Sequence, residues 1–182
     1  MIQSPVPVLG FAAWSGTGKT TLLKQLIPLL KDKGICIGMI KHAHHNFDID
    51  KPGKDSYELR KAGADQMLIA SQRRWALMVE TPELDGDPDL NKIIEQLDYS
   101  RLDLILVEGF KHVSFPKIEL YRPSVGKETL FSQDTSIIAI ATDSPTSITT
   151  SLPVLNINIP ASIADFITDY LDQAGSSASA ER

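Results

Sequence analysis

The segment Ala13-Trp14-Ser15-Gly16-Thr17-Gly18-Lys19-Thr20 has the spacing of a phosphate-binding loop, G-x-x-x-x-G-K-[ST], with Ala13 in the first glycine position. Each residue type has a physical task in such a loop. Gly16 and Gly18 let the backbone turn so that successive N–H groups converge on phosphate oxygens. The helix that follows adds the partial positive charge of its N-terminus. Lys19 reaches the β- and γ-phosphates of a nucleotide, and the Thr20 hydroxyl can ligate Mg²⁺. Ala13 is tolerated as long as its backbone φ is negative. A glycine-rich turn capping a helix would explain the glycines, but not Lys19-Thr20 at this spacing after an apolar strand. The loop by itself separates neither ATP from GTP nor a hydrolase from a kinase.

Such a loop normally works with a carboxylate at the end of another strand, which holds Mg²⁺ directly or through water. In Leu104-Ile105-Leu106-Val107-Glu108-Gly109 the first polar residue after the apolar run is Glu108, and Gly109 lets the backbone pass close to a phosphate. Asp103 opens the same strand at the opposite end and is discounted for metal. Three of the four histidines lie in Lys41-His42-Ala43-His44-His45-Asn46-Phe47-Asp48-Ile49-Asp50. Lys41, His42, His44, His45, Asp48 and Asp50 form a candidate ligand loop with three readings. It is a transition-metal site, although the spacing matches no standard zinc pattern; a switch-like loop that presents a side chain to the γ-phosphate, Mg²⁺ or attacking water; or a polar surface loop. Late in the chain, Thr142-Asp143 closes the apolar run Ile137-Ile138-Ala139-Ile140-Ala141. A carboxylate there can accept from guanine N1–H and its exocyclic amine. Asp143 before Ser144-Pro145 is equally a routine turn starter.

The elements that must hold these residues alternate. Apolar strand candidates cover 6–13, 35–40, 66–71, 75–81, 102–107, 117–121, 137–141 and 154–157. Amphipathic helices are expected at 20–33, with Pro28 inside it, and at 55–63, 89–97 and 162–171. This order predicts an α/β fold with a mainly parallel sheet and its site at the carboxyl ends of the strands. Residues 66–81 and 117–121 are extra strands that either widen the sheet or form a dimer edge, where Trp75 and Tyr121 are candidate interface residues.

At 182 residues the chain suits one domain, taken as 1–174, with 175–182 as a small polar tail expected to be disordered. Lys+Arg total 18 against 23 Asp+Glu, a net charge of −5, which argues against non-specific nucleic-acid binding. No window reaches the ~18 apolar residues of a membrane span, so a soluble cytoplasmic protein is expected. The single cysteine, Cys36, excludes an intramolecular disulfide and is expected to be a small buried side chain.

Taken in order, Gly18-Lys19-Thr20-Thr21, Lys41-His42-x-His44-His45, Gly53-Lys54-Asp55-Ser56, Ala62-Gly63-Ala64 and Val107-Glu108-Gly109-Phe110-Lys111 resemble the molybdopterin-guanine dinucleotide biosynthesis protein B family over about residues 5–172. The resemblance implies a P-loop NTPase-like, three-layer α/β fold, GTP with Mg²⁺, slow hydrolysis and a homodimer. It implies partnership with the molybdopterin guanylyltransferase, with molybdopterin itself and molybdoenzyme chaperones as further candidates. Carried over by residue, Ala13 to Thr21 hold phosphate, Thr20 and Glu108 hold Mg²⁺, Lys19 and Glu108 are the catalytic candidates, and Lys41 to His45 line the site. Many relatives carry a second lysine early in the loop that reaches across a dimer; here that position is Trp14. No arginine finger or water-positioning glutamine stands out, and lacking one costs ~10³ or more in rate. A small-molecule kinase on the same fold and a histidine-based metal carrier are the competing readings.

Overall fold

A computed structural model describes residues 2–43, 47–81 and 86–180. Two compact units divide the chain, one formed by Met1–His42 with Asp89–Arg182 and the other by Ala43–Pro88.

The first unit is built on a six-stranded sheet. In chain order its elements are β1 (Val8–Ala13), α1 (Lys19–Asp32), β2 (Ile37–Lys41), α3 (Leu90–Ile94), β5 (Leu104–Glu108), β6 (Lys117–Tyr121), β7 (Ile137–Thr142), β8 (Val154–Asn156) and α4 (Pro160–Ala180). The second unit contributes α2 (Asp55–Lys61), β3 (Gln66–Ala70) and β4 (Trp75–Val79). The sheet order is β2-β5-β1-β6-β7-β8, and every neighbouring pair is parallel. After β1 the chain crosses beyond β5 to form β2, whereas β6, β7 and β8 extend the sheet the other way. The end of β1 is therefore the switch point where α/β sheets open a crevice for ligands.

Alternation along the strands sorts the apolar residues into two cores. On β5, Leu104 and Leu106 join the cluster under α1 and α4 with Leu9, Phe11, Leu26, Leu30, Ile163 and Ile167. Ile105 and Val107 face the opposite cluster with Val8, Ile40, Leu90, Ile94, Phe110 and Phe115. A strand buried on both faces has to read as a continuous apolar run, as this one does. The helix α1 continues through Pro28.

Residues 66–81 do not widen the main sheet: β3 and β4 pair only with each other, as an antiparallel hairpin in the second unit. Of the two readings of 117–121 the first holds: β6 widens the main sheet and is not an edge, because β1 and β7 pair with its two sides. Cys36 is exposed; it precedes β2 at the outer end of the sheet, and its backbone N–H donates to Asp103 at 2.8 Å. Helix α4 starts at Pro160 and continues past Gly175 to Ala180, since the Ser/Ala run there contains no proline to stop it.

Candidate functional site

The loop after β1 has the backbone of a phosphate cradle. Gly16 and Gly18 have φ of 84° and 97°, which a side chain would strain, and Ala13 is not among the positive-φ residues. The Thr17 hydroxyl donates to the Trp14 carbonyl at 2.8 Å, and Leu22 N–H donates to Gly18 O at 2.9 Å, fastening the loop to the start of α1. Lys19 lies back along the loop with Nζ 3.5 Å from Ala13 O. Burial lowers its ammonium pKa; Glu108 opposes that shift, and Lys41 and Lys111 reinforce it. An anion would relieve both the burial and the repulsion. The Thr20 and Thr21 side chains are exposed at the mouth of the loop, and Ser15 is exposed at its tip.

Glu108 ends β5, next to β1 in the sheet, with Phe11 opposite it in the register. On its other side Lys41 is its register partner, and Lys41 Nζ lies 3.1 Å from both carboxylate oxygens. The carboxylate is only 13% exposed, whereas Lys41 is 60% exposed. Glu108 is thus fixed by the sheet, and Lys41 is the partner that can swing away. The turn beyond is strained: Gly109 has φ 98° and Phe110, a non-glycine, has φ 52°. A Cβ on Gly109 would come within 2.6 Å of His42 Cβ. His42 stacks on Phe110 with ring centroids 4.7 Å apart, and its N–H donates to Glu108 O at 2.8 Å. His42 therefore packs the carboxylate's turn.

On the other flank of the loop a cavity of about 310 Å³ is lined by Gly16, Gly18, Thr21, Arg122, Ile157 and Asn158, among others. Arg122, just past β6, organises it. Its Nε–H donates to Thr17 O at 3.1 Å, Nη1 to Asp143 Oδ2 at 2.5 Å, and Nη2 to Asn158 Oδ1 at 2.9 Å. Because Asn158 gives its amide oxygen to Arg122, its NH₂ is left as a donor with no acceptor among the described residues. Thr142 is fully buried, and its hydroxyl accepts from Ser144 N–H at 3.1 Å, so it shapes the turn below the cavity. Neither Thr142 nor Asp143 lines the cavity; Asp143 acts on it through Arg122. Sequence reading missed Arg122 and Asn158. The available signal was positional, since both directly follow strand candidates.

The rest of the ligand loop belongs to the second unit. Asp48 and Glu80 both accept from Arg60, the latter at 2.7 Å. The Arg60 hydrogen bond holds the Asp48 carboxyl below the usual range and, with Glu80, raises the guanidinium. Asp50 accepts from Ser56 Oγ at 3.1 Å and from Lys51 N–H at 2.9 Å. These acids tie the turn before α2. His44 and His45 lie outside the described residues. Among the described residues no three His, Cys, Asp or Glu side chains gather into a metal-binding group.

Comparison with known proteins then places the chain. The family model of molybdopterin guanine dinucleotide synthesis protein B matches residues 8–143, from the start of β1 to Asp143. The chain belongs to that family. It is 53% identical to the molybdopterin-guanine dinucleotide biosynthesis adapter protein of Escherichia coli (strain K12), covering 94% of this chain and 97% of that protein. The protein of the same name from Haemophilus influenzae is 43% identical over 93% and 92% of the two chains. Among solved structures, Bacillus subtilis MobB superposes with a TM-score of 0.70 at 23% identity, over 90% of this chain and 96% of that one. The MobB homologue from Bacillus stearothermophilus gives 0.67 at 20%, over 91% and 98%. Among the described residues no helix is long and apolar enough to cross a membrane.

Proposed function

We propose that this chain binds GTP, hydrolyses it slowly, and serves as an adapter that assists the molybdopterin guanylyltransferase in joining GMP to molybdopterin in the cytoplasm. The observation that carries the nucleotide reading is the pairing of a phosphate cradle with a cavity whose free donor is the Asn158 amide. Guanine presents an acceptor, O6, where adenine presents an amine, so a fixed NH₂ donor favours guanine. The Asp143 carboxylate acts through Arg122, which its Oδ2 holds at the cavity wall. Slow turnover fits because Arg122, which touches the loop, is spent on three acceptors. The adapter role rests on the relatives' name.

Mg²⁺ fits the residues present. Thr20 offers an exposed hydroxyl with no partner among the described residues, and Glu108 offers a largely buried carboxylate at the next strand end. With phosphate oxygens these make the hard-oxygen set that Mg²⁺ takes. When bound, the ion would neutralise charge between the β- and γ-phosphates. Lys41 would have to release Glu108 for this, and its exposed side chain allows that.

A homodimer is supported by the hairpin of the second unit, which exposes Leu68, Ile69, Trp75 and Val79. A two-stranded hairpin is marginally stable alone, and a second copy of this chain would cover that surface.

Reconstituted guanylyl transfer tests the adapter role. The rate of molybdopterin-guanine dinucleotide formation by the guanylyltransferase should rise when this chain and GTP are added. An unchanged rate across a range of chain concentrations would refute it.

A further inference from the structure

Two lysines meet on the ring of Trp14, within the phosphate loop. Lys111 Nζ lies 5.0 Å and Lys127 Nζ 5.8 Å from the ring centroid. The ring is itself pinned, since Nε1–H donates to Glu128 O at 2.9 Å. An aromatic face attracts ammonium groups, but two of them on one ring repel each other, and Lys111 also repels Lys19, unless an anion arrives.

Both lysines are delivered by loops anchored on buried charges of β6. Lys117, 1% exposed, donates to Asp134 Oδ2 at 2.7 Å and Ser136 Oγ at 2.8 Å, and lies 3.4 Å from the carbonyl of Lys111. Glu119, fully buried, accepts from the N–H groups of Leu130 and Phe131 at 2.7 and 2.8 Å, closing the loop that carries Lys127 and Glu128. Room for this is made by Gly10, where a Cβ would sit 2.6 Å from the Phe115 ring and 2.8 Å from Lys117 Cγ. Two charges buried inside a sheet are costly unless fully satisfied; here each fixes one loop at the mouth of the site.

The sheet order sets which end of a nucleotide Lys111 meets, while Lys127, which follows β6, is brought to the same place by the Trp14 ring. The Asn158 cavity follows β8, on one side of β1. Lys111 follows Glu108 and β5, on the other side. A nucleotide whose base fills the cavity and whose phosphates lie along the loop points its terminal phosphate towards β5.

We propose that Trp14, Lys111 and Lys127 form a cationic shelf that contacts the terminal phosphate of a nucleoside triphosphate. This deepens the nucleotide-binding reading and rests on it. The shelf would discriminate by phosphate number: a triphosphate reaches it and a diphosphate does not.

The test is calorimetric titration of GTP and GDP, with Mg²⁺, into the full chain and into Lys111→Met, Lys127→Met and the double variant. A charge-assisted contact to phosphate lost on truncation predicts about tenfold weaker GTP binding for Lys111→Met, with GDP changed by less than about twofold. The exposed Lys127 should cost less, and the double variant most. As a second readout, in a Trp75→Phe background, GTP should shift the Trp14 emission and GDP should not. Equal losses for GTP and GDP, or no loss for either, would overturn the shelf while leaving nucleotide binding intact. If the unaltered chain binds neither nucleotide, the underlying reading falls and the shelf falls with it.

Discussion

Replacing Arg122 separates stability from guanine selection. Its guanidinium joins three strand ends through Thr17 O, Asp143 and Asn158. Arg122 and Asp143 are 27% and 29% exposed, so solvent screens the ion pair, which is worth about 1 kcal/mol rather than the value of a buried one. The two neutral acceptors add roughly 0.5–1.5 kcal/mol each. Arg122→Met should therefore lower stability by about 2–4 kcal/mol, or roughly 4–16 °C in Tm for a chain of this length. Arg122→Lys keeps a charge beside Asp143 but has no fork to hold Asn158. It should recover part of the Tm. It should not recover selectivity, because the freed amide can present either end to the base, and the GTP-to-ATP affinity ratio should fall about tenfold. Thermal denaturation and competition calorimetry on the two variants read both quantities. A lysine variant that keeps the full guanine preference would show that Arg122 does not set the Asn158 amide.

Three further outcomes follow from the packing. Gly109→Ala combines a left-handed backbone with a 2.6 Å approach to His42 Cβ, so chemical denaturation should show a loss of about 2–4 kcal/mol. Leu26, fully buried under the sheet, should cost about 2–5 kcal/mol as Leu26→Ala by the same measurement, with the loop geometry kept. Burial opposes ionisation of Asp134, but hydrogen bonds from Lys117 and Ser136 outweigh it and hold its pKa below the usual value. A depressed carboxylate contributes stability above its unfolded pKa and loses it as pH falls through the folded one. Urea titrations from about pH 5 to pH 2 should therefore show a shallower acid loss for Asp134→Asn than for the unaltered chain; parallel slopes would refute the Lys117–Asp134 role.

Most of the frame was legible because it is carried by local signals. The apolar run at 104–107 had to be a doubly buried strand, and Gly18-Lys19-Thr20 had to follow a strand and open a helix. What stayed hidden depends on long-range pairing. Lys117 and Glu119 look like the exposed positions of an edge strand, and nothing local reveals that β1 and β7 enclose them. Asp143 is visible as a strand-end carboxylate, but the arginine that occupies one of its oxygens lies 21 residues earlier. Asn158 sits among ordinary turn residues, and only Arg122 turns its amide into a directed donor. The hairpin at 66–79 is legible as two strands, but not as a sheet of its own.

The most direct measurement is calorimetric titration of GTP, GDP and ATP, each with Mg²⁺, into the unaltered chain and into Lys19→Ala. Guanine-selective binding that disappears in the variant is the expected result. ATP-selective binding, or affinity unchanged by loss of Lys19, would contradict the assignment of the loop and its neighbouring cavity as a guanine-nucleotide site.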